Sequence, residues 1–518
     1  MKKRFNVTGR CISQWHYMVD ISSKLDETLS LIHQGEYFTI NRPRQYGKTT
    51  TLFEIVKILQ KHPGYLVVPT TFEDLGTKVF QNETHFCLTF AELLEEFIAL
   101  NHPDLSLFLK SELPNIQSFK KLARLIRSLT QKSEKKIVLL IDEVDKACNF
   151  KIFLDFLGML RSNYLIRDYF PTFHSVILIG IHNVKLLKQK IHPKAERSLN
   201  SPWNIAADFM VRMSFSSDEI ASMLREYSEA ENISMNIPLI SETLYYHTSG
   251  YPFLVSRLCQ IIAERILPKT GEKHWDLKHI NAAVQYSLKH NDTNFDSLIN
   301  NLEHHQALYK LVHRIIIEGE SVAFNKDDTI IYLGLTYGIF SHNGTVKIHN
   351  RIYEQRIYNY MVTKTVVRSE SGHNYGGHFR LPNNQLDMEA VLQKFQSFMK
   401  EEFSKKDSSF LERNGRLVFL AFLSPIINGG GYTFKEVQIS LEKRLDVVVT
   451  YFQHRYIIEL KRWYGEKAHT QGIAQLVDYL NIHKVDTGFL LIFEHKQAKS
   501  WRMEWIEAEN KRIFAVWV

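Results

Sequence analysis

The sequence predicts a multidomain α/β protein. Three observations carry that expectation. Short apolar runs rich in β-branched residues ("GYLVVPTTF", "KKIVLLIDEVD", "HSVILIGIHN") alternate with helical patterns such as "FAELLEEFIALN" and "FLDFLGMLRSNYL". That alternation marks buried, mostly parallel strands crossed over by helices. One strand, "EYFTI", leads through Gly47-Lys48-Thr49 into the helical "TTLFEIVKILQKH". After the polar, Gly-containing stretch Lys364 to Gln385, a second succession of helix and strands begins. A chain of 518 residues is too long for one core, and three or more domains are expected.

Taken in order, residues 1–35 form a lead-in, in which "DISSKLDETLSLIHQG" is a short amphipathic helix closed by Gly35. Residues 36–215 hold the alternating strands and helices, and 216–295 turn helical. Residues 296–365 combine helices with a hairpin at "YGIFSHNGTVKIHN", where Asn343-Gly344 is a two-residue turn signal; this mixture suits a winged-helix module. Residues 366–387 are a linker. Residues 388–518 read as a long helix, three strands, a helix and a closing strand, a second α/β domain.

Composition narrows the classes. Hydrophobic residues at 44% and charged residues at 23% are ordinary for a globular chain. No apolar run approaches the ~18–20 residues that span a bilayer, and "MKKRFNVTGRCISQW" lacks the apolar stretch of a signal peptide. Cys11, Cys87, Cys148 and Cys259 are widely separated, without metal-ligand spacing, as expected of thiols in a reducing cytoplasm. A net charge of +8 permits a polyanionic partner without demanding one.

The stretch "NRPRQYGKTTTL" has the ending of a phosphate-binding loop, yet Arg42 stands where such a loop opens with glycine. In a working loop the residues Gln45, Tyr46, Gly47, Lys48, Thr49 and Thr50 wrap the phosphates with backbone N–H groups and the helix N-terminus. Lys48 reaches the outer phosphates, and the Thr49 hydroxyl holds Mg²⁺. Alone, Gly-Lys-Thr is as readily a surface turn. The second half of the site is "KKIVLLIDEVD", in which Ile137 to Ile141 deliver Asp142 and Glu143 to a strand's C-terminal edge, where α/β sheets hold ligands. Asp142 would bind Mg²⁺ through water and Glu143 would orient or deprotonate the attacking water; the plain reading is a buried strand ending in two solvated acids. Asn183, a polar residue at the end of the next strand, is by itself a turn former. Pro252, in "TSGYPFLVSRLCQ", is a candidate clamp beside the base or a helix start. Arg161 and Arg167 are either further positive charges for the γ-phosphate or solvated helix charges.

On "GEYFTINRPRQYGKTTTL", "VLLIDEVD", "SPWNIAADF" and "TSGYPFLVSRLC", residues from about 15 to 265 resemble the AAA-like P-loop ATPase domains related to the signalling (STAND) branch. The resemblance implies an AAA-like P-loop NTPase core with a helical lid, ATP and Mg²⁺ as cofactors, and Asn183 as a candidate γ-phosphate sensor. That family often replaces the first glycine, so Arg42 does not break the match, though it bears on the hydrolysis rate.

A second constellation lies in "EKRLDVVVTYFQHRYIIELKRW". Asp446 starts one strand and Glu459-Leu460-Lys461 lies on the next; alternation puts Glu459 and Lys461 on one face. Two carboxylates, Asp446 and Glu459, beside Lys461 suit a Mg²⁺ site that activates water against a phosphodiester. Glu-x-Lys alone is frequent on solvated strand faces. With Gln475 in the following "HTQGIAQLVDYL" and the strand "TGFLLIFE", residues 388–518 resemble the PD-(D/E)xK nuclease superfamily, a restriction-endonuclease-like α/β fold. Leu445-Asp446 replaces the Pro-Asp pair. Glu412 is the candidate N-terminal acid, with Glu402 and Glu436 as competitors.

In the winged-helix candidate, Lys347, Arg351 and Arg356 lie where duplex DNA contacts would come, while the aromatics of "RIYNYM" have core spacing. The whole predicts a cytoplasmic, prokaryotic protein, without a membrane segment and open to homo-oligomer formation. In it an ATPase gates a Mg²⁺-dependent nuclease acting on nucleic acid, DNA first, with defence against foreign DNA or mobile-element biology implied by resemblance alone. The alternative is a non-enzymatic nucleotide-dependent switch whose last domain binds nucleic acid without cutting.

Overall fold

The computed structural model describes residues 2–180, 203–316, 320–368, 379–383, 385–402, 418–420, 422–423, 426–427, 431–435, 447–451, 454–463, 466–483, 485–494 and 501–518. It divides into two compact units. The first comprises Met1–Leu298, Lys326–Ser341 and His349–Arg351, the second Ile299–Asn325, His342–Ile348 and Ile352–Val518.

The first unit is built on four strands, β1 (Tyr37–Asn41), β2 (Tyr65–Thr71), β3 (Lys136–Asp142) and β4 (Ser175–Gly180). They lie in the order β1-β4-β3-β2, and every pairing is parallel. Alternation along the strands sorts their side chains between two faces. Leu139, Ile141, Val176 and Leu178 pack on one face with Phe86, Phe90, Leu122, Leu125, Phe153 and Phe156. Those partners come from α3 (Glu83–Ala99), α5 (Phe119–Lys132) and α6 (Lys151–Leu165), which follow α4 (Pro103–Glu112) or flank it. Val138, Leu140, Ile177 and Ile179 pack on the other face with Leu29, Ile32, Leu52 and Ile55, from α1 (Ser22–His33) and α2 (Lys48–Gln60). Burial on both faces is why these strands read as unbroken apolar runs.

Helices Ser217–Glu231, Ile237–Thr248, Pro252–Ile261 and Leu277–Lys289 follow, joined by the two-residue parallel pair β5 (Ser234–Met235) and β6 (His274–Trp275). Gly250 is required where it stands. Its φ is +73°, and a Cβ there would lie 1.9 Å from the Phe215 carbonyl oxygen. Strands β7 (Phe340–His342) and β8 (Val346–Ile348) flank the Asn343-Gly344 turn, with Gly344 at φ 91°. In the helix Arg351–Arg368, Tyr353, Ile357, Tyr358 and Met361 are all buried, so the aromatics of "RIYNYM" that face inward serve packing.

The second unit carries β9 (Gly431–Lys435), β10 (Val447–Tyr451), β11 (His454–Arg462), β12 (Thr487–Phe493), β13 (Met503–Ala508) and β14 (Lys511–Trp517). The sheet runs β13-β14-β12-β11-β10-β9, with β12 parallel to both β11 and β14. Helix Glu466–His483 covers it through Leu476, Val477 and Leu480 against Ile457, Leu490 and Ile492. The expected closing strand, β12, does not close the sheet. Two more strands follow it, joined by Glu509 and Asn510 at φ 48° and 63°. Consecutive positive φ is the geometry of a tight hairpin turn, and without glycine the sequence gives little sign of it. Among the described residues no helix is long and apolar enough to cross a membrane.

Candidate functional site

The loop between β1 and α2 is shaped by two left-handed residues, Gln45 at φ 57° and Gly47 at φ 79°. Left-handed residues interleaved with ordinary ones make a concave backbone nest, and Gly47 is the N-cap of α2. Lys48 is buried, and its Nζ donates to the carbonyl oxygens of Arg42 and Pro43, each at 3.0 Å. Burial lowers the Lys48 pKa, against the pull of Asp145, Glu143 and Asp142 in that order. The amine is therefore held across the loop, with three acids near enough to act on its charge. Asp145, the third acid of "IDEVD", is the residue that sequence reasoning passed over.

Arg42 has a structural use. Its Nη2 donates to the Val211 carbonyl at 2.7 Å and its guanidinium lies 5.5 Å from the Phe209 ring centroid. The side chain that replaces the opening glycine ties the loop to the 209–211 segment.

Thr49 Oγ1 lies 3.3 Å from Asp142 Oδ2, so the hydroxyl and the carboxylate converge. All-oxygen donors at this spacing fit a hard divalent cation that also keeps waters and phosphate oxygens. Asp142 Oδ1 accepts the Glu143 N–H at 2.9 Å. Burial raises the Asp142 pKa, and the Glu143 N–H, Lys48 and Thr49 work against that rise. Burial also raises the Glu143 pKa, and the neighbouring Asp142 charge adds to it. Glu143 itself sits at φ 53°, a costly backbone for a residue with a Cβ. Such strain concentrates where a side chain must be aimed.

A cavity of about 300 Å³ opens beside the loop. Gln45, Tyr46, Gly47, Thr50 and Pro252 line it, so the structure brings Pro252 to the loop residues. Its other wall is the N-terminal segment, including Asn6, Thr8, Cys11 and Tyr17. The Cys11 N–H donates to Thr50 Oγ1 at 3.0 Å and fastens that segment to α2. The lead-in of residues 1–35 is thus part of the site, through a long-range contact that local patterns do not reveal. Gln45 is held by Asn294, whose Nδ2 donates to its Oε1 at 2.8 Å.

Tyr46 faces a second cavity, of about 310 Å³, with Asn41, Arg42, Pro43, Tyr332, Gly338 and His349. Its hydroxyl is 3.0 Å from His349 Nε2, and its ring meets Tyr251 edge-on at 4.7 Å. Tyr251 in turn donates to the Arg44 carbonyl at 2.6 Å.

Two expected positive charges stand elsewhere. Arg167 donates to the Gly35 carbonyl at 3.1 Å, just before β1 and so at the sheet edge opposite Lys48. Arg161 donates to Asn204 Oδ1 at 2.9 Å. Neither joins Lys48 within this chain. Asn183 lies outside the described residues.

In the second unit, Glu459 and Lys461 are on one face of β11, and Nζ lies 2.6 Å from Glu459 Oε1. The same Nζ donates to Gln475 Oε1 at 2.7 Å. Glu459 is 1% exposed. Three of the expected residues therefore converge. Asp446, Glu412 and Glu436 lie outside the described residues, as does the side chain of Glu402. Among the described residues, no group of three or more His, Cys, Asp or Glu stands in metal-binding arrangement.

Comparison with curated proteins gives no match. Among solved structures, the chain is similar to the Walker-type ATPase of Pyrococcus abyssi at 12% identity, covering 68% of this chain and 99% of that one with a TM-score of 0.47. It is similar to the ORC2 protein of Aeropyrum pernix, solved as ADPNP–ADP complexes, at 11% identity over 66% and 93% with a TM-score of 0.39. It is similar also to a RuvB variant of Thermotoga maritima at 11% identity over 66% and 95% with a TM-score of 0.35. Residues 16–358, about two thirds of the chain, match the family model described as AAA-like domain, and the chain belongs to that family.

Proposed function

We propose that this protein binds and hydrolyses ATP at the Lys48 loop and that nucleotide occupancy gates a Mg²⁺-dependent nuclease in residues 388–518. The observation that carries the first half is the buried Lys48 amine, set among Asp142, Glu143 and Asp145 beside a cavity of about 300 Å³. Gln45, Tyr46, Gly47 and Thr50 would line the nucleotide, Pro252 would close on the base, and Asn183 would sense the γ-phosphate. Thr49 and Asp142 would hold Mg²⁺, which supplies charge neutralisation at the phosphates. On leaving the carbonyls of Arg42 and Pro43, the Lys48 amine turns to the outer phosphate oxygens. Glu143, made more basic by burial, accepts the proton of the attacking water.

The nuclease reading rests on the Glu459–Lys461–Gln475 convergence and on sequence order. Asp446 directly precedes Val447, and Val447 pairs with Ile458, the residue before Glu459. Asp446 and Glu459 would hold Mg²⁺, with Glu412 as the N-terminal acid. Lys461, steadied by Gln475, positions the water. We assign 36–215 to the ATPase core, 216–295 to its lid and 296–365 to a winged-helix module. Nucleic acid, DNA first, is the substrate, and assembly of several copies is one route to gating.

The deciding experiment offers linear and circular DNA with Mg²⁺, with and without ATP, to the protein and to its Lys48→Ala and Asp446→Ala variants. Cleavage that disappears in Asp446→Ala and is lost or deregulated in Lys48→Ala is the expected result. Intact ATP turnover with no cleavage under any condition leaves a nucleotide switch without a nuclease.

A further inference from the structure

Helix α5 breaks the rules by which surface helices are stabilised. It has no acidic residue in its first turn, where Lys120 and Lys121 oppose the helix dipole. Lys120 and Arg124 are a like-charged i,i+4 pair, and no Asp or Glu occurs anywhere in the helix to balance them. Between Phe119 and Lys136 there are seven basic residues and one acid, Glu134, a net +6. The entire chain carries +8. Three quarters of the protein's excess positive charge is therefore concentrated in one eighteen-residue segment.

Most of that charge is exposed, and Lys132 lies over the Phe108 ring at 5.0 Å. Lys120, Lys121, Arg124, Lys132 and Lys136 are exposed, and among the described residues none of them forms an ion pair. The apolar stripe, Leu122, Leu125, Ile126 and Leu129, is fully used in the sheet's core. At the edge of the basic face, Arg127 stacks over the Phe170 ring at 4.9 Å and donates to Asn163 at 3.0 Å. Phe170 is 47% exposed and its neighbour Tyr169 is 83% exposed.

We propose that the basic face of α5, with Phe170 at its edge and the exposed Tyr169 next to it in sequence, binds a single strand of nucleic acid. From Lys120 to Lys132 the helix runs about 18 Å at about 1.5 Å per residue, room for several consecutive phosphates. Lysine and arginine bind them by counterion release without regard to sequence. Exposed aromatic rings beside a cationic track stack on bases, and only unpaired bases offer their faces. An anionic membrane fits less well, because an interfacial helix inserts its apolar face and that of α5 is already buried. This surface is independent of the C-terminal nuclease reading.

The test measures binding of a dye-labelled oligonucleotide, single-stranded and as a duplex, to the full chain in EDTA across a salt series. EDTA silences metal-dependent cleavage, so failure of the nuclease reading leaves this result intact. Lys120→Glu/Lys121→Glu/Arg124→Glu should weaken single-strand binding at least about tenfold and flatten the salt slope by about 2, at roughly 0.7 per lost contact. Tyr169→Ala should weaken the single strand and spare the duplex. The triple glutamine variant answers the same question if the glutamate one unfolds. Parental affinity and slope in a folded triple variant overturn the proposal. So does a loss confined to vesicles of anionic phospholipid.

Discussion

Tyr46 and His349 share a hydrogen bond of 3.0 Å across 303 residues of sequence. Asn350 Nδ2 lies 3.3 Å from His349 Nδ1. With that amide donating, the ring proton sits on Nε2 and is given to the tyrosine oxygen. The loop that carries Lys48 is thus held from the segment just ahead of the helix Arg351–Arg368. Gly338 adds to the hold at φ 69°, since a Cβ there would lie 2.7 Å from Pro43 Cγ.

Removing the tyrosine hydroxyl leaves the half-buried His349 imidazole N–H without that acceptor. Tyr46→Phe should destabilise the first unit by about 1–3 kcal/mol, read from denaturant unfolding. An unchanged midpoint and slope would show that the contact contributes nothing.

His349 also predicts a pH response. Its pKa is lowered to about 4 by burial, with Arg212 adding to the effect. His247 is lowered to about 4 likewise, by burial and then Arg351. Both rings are neutral in the fold but take up protons near pH 6.5 once unfolded. Between those values the unfolded state binds more protons, so stability is full above about pH 6.5 and declines as the pH falls toward about 4. Unfolding followed over that window should show the decline, and His349→Gln should make it shallower. Parallel curves for the two proteins would assign the pH dependence to other groups.

Lys48 and Glu143 should separate binding from chemistry. Lys48→Ala removes the proposed phosphate partner and also strands the Arg42 and Pro43 carbonyls, so nucleotide affinity should fall at least about tenfold, a loss of about 1.4 kcal/mol or more. Glu143→Gln keeps the shape and loses the carboxylate proposed as the base. Hydrolysis should fall about 10²-fold or more, while ATP still raises the unfolding temperature by mass action. Wild-type turnover in Glu143→Gln would transfer the base to another residue, with Asp145 the first to examine.

How much of this was legible follows from distance along the chain. The β1–loop–α2 unit and the acids after β3 are local patterns, written in contiguous residues whose strands are buried on both faces. The contacts of Tyr46 with His349 and of Thr50 with Cys11 carry no local signature, because each partner is an ordinary residue in its own neighbourhood. Arg42 looked like a defect because its reason, the Val211 carbonyl, lies 169 residues away. The β13–β14 hairpin went unread because Glu509-Asn510 takes up a turn usually written with glycine.

The second unit provides the sharpest electrostatic prediction. Glu459 is almost wholly buried, and Lys461 is its close cationic partner at 2.6 Å. Neutralising one member of such a pair leaves the other charged in a low dielectric, which costs about 3–5 kcal/mol, whereas replacing both with well-packed neutral groups costs far less. Lys461→Met should therefore destabilise the second unit by a few kcal/mol, and Glu459→Gln/Lys461→Met should recover most of that. Gln475→Ala removes one hydrogen bond to a charged group and should cost about 1.5–3 kcal/mol. The pattern is measurable by urea unfolding of the full chain with tryptophan emission, since Trp463, Trp501, Trp505 and Trp517 all lie in this unit. Additive losses in the double variant would mean that the pair is not coupled. A strong coupling, with cleavage lost in every member of the series, would mean that the carboxylate and the amine are kept in the fold for the reaction, at a cost in stability that an apolar pair would avoid.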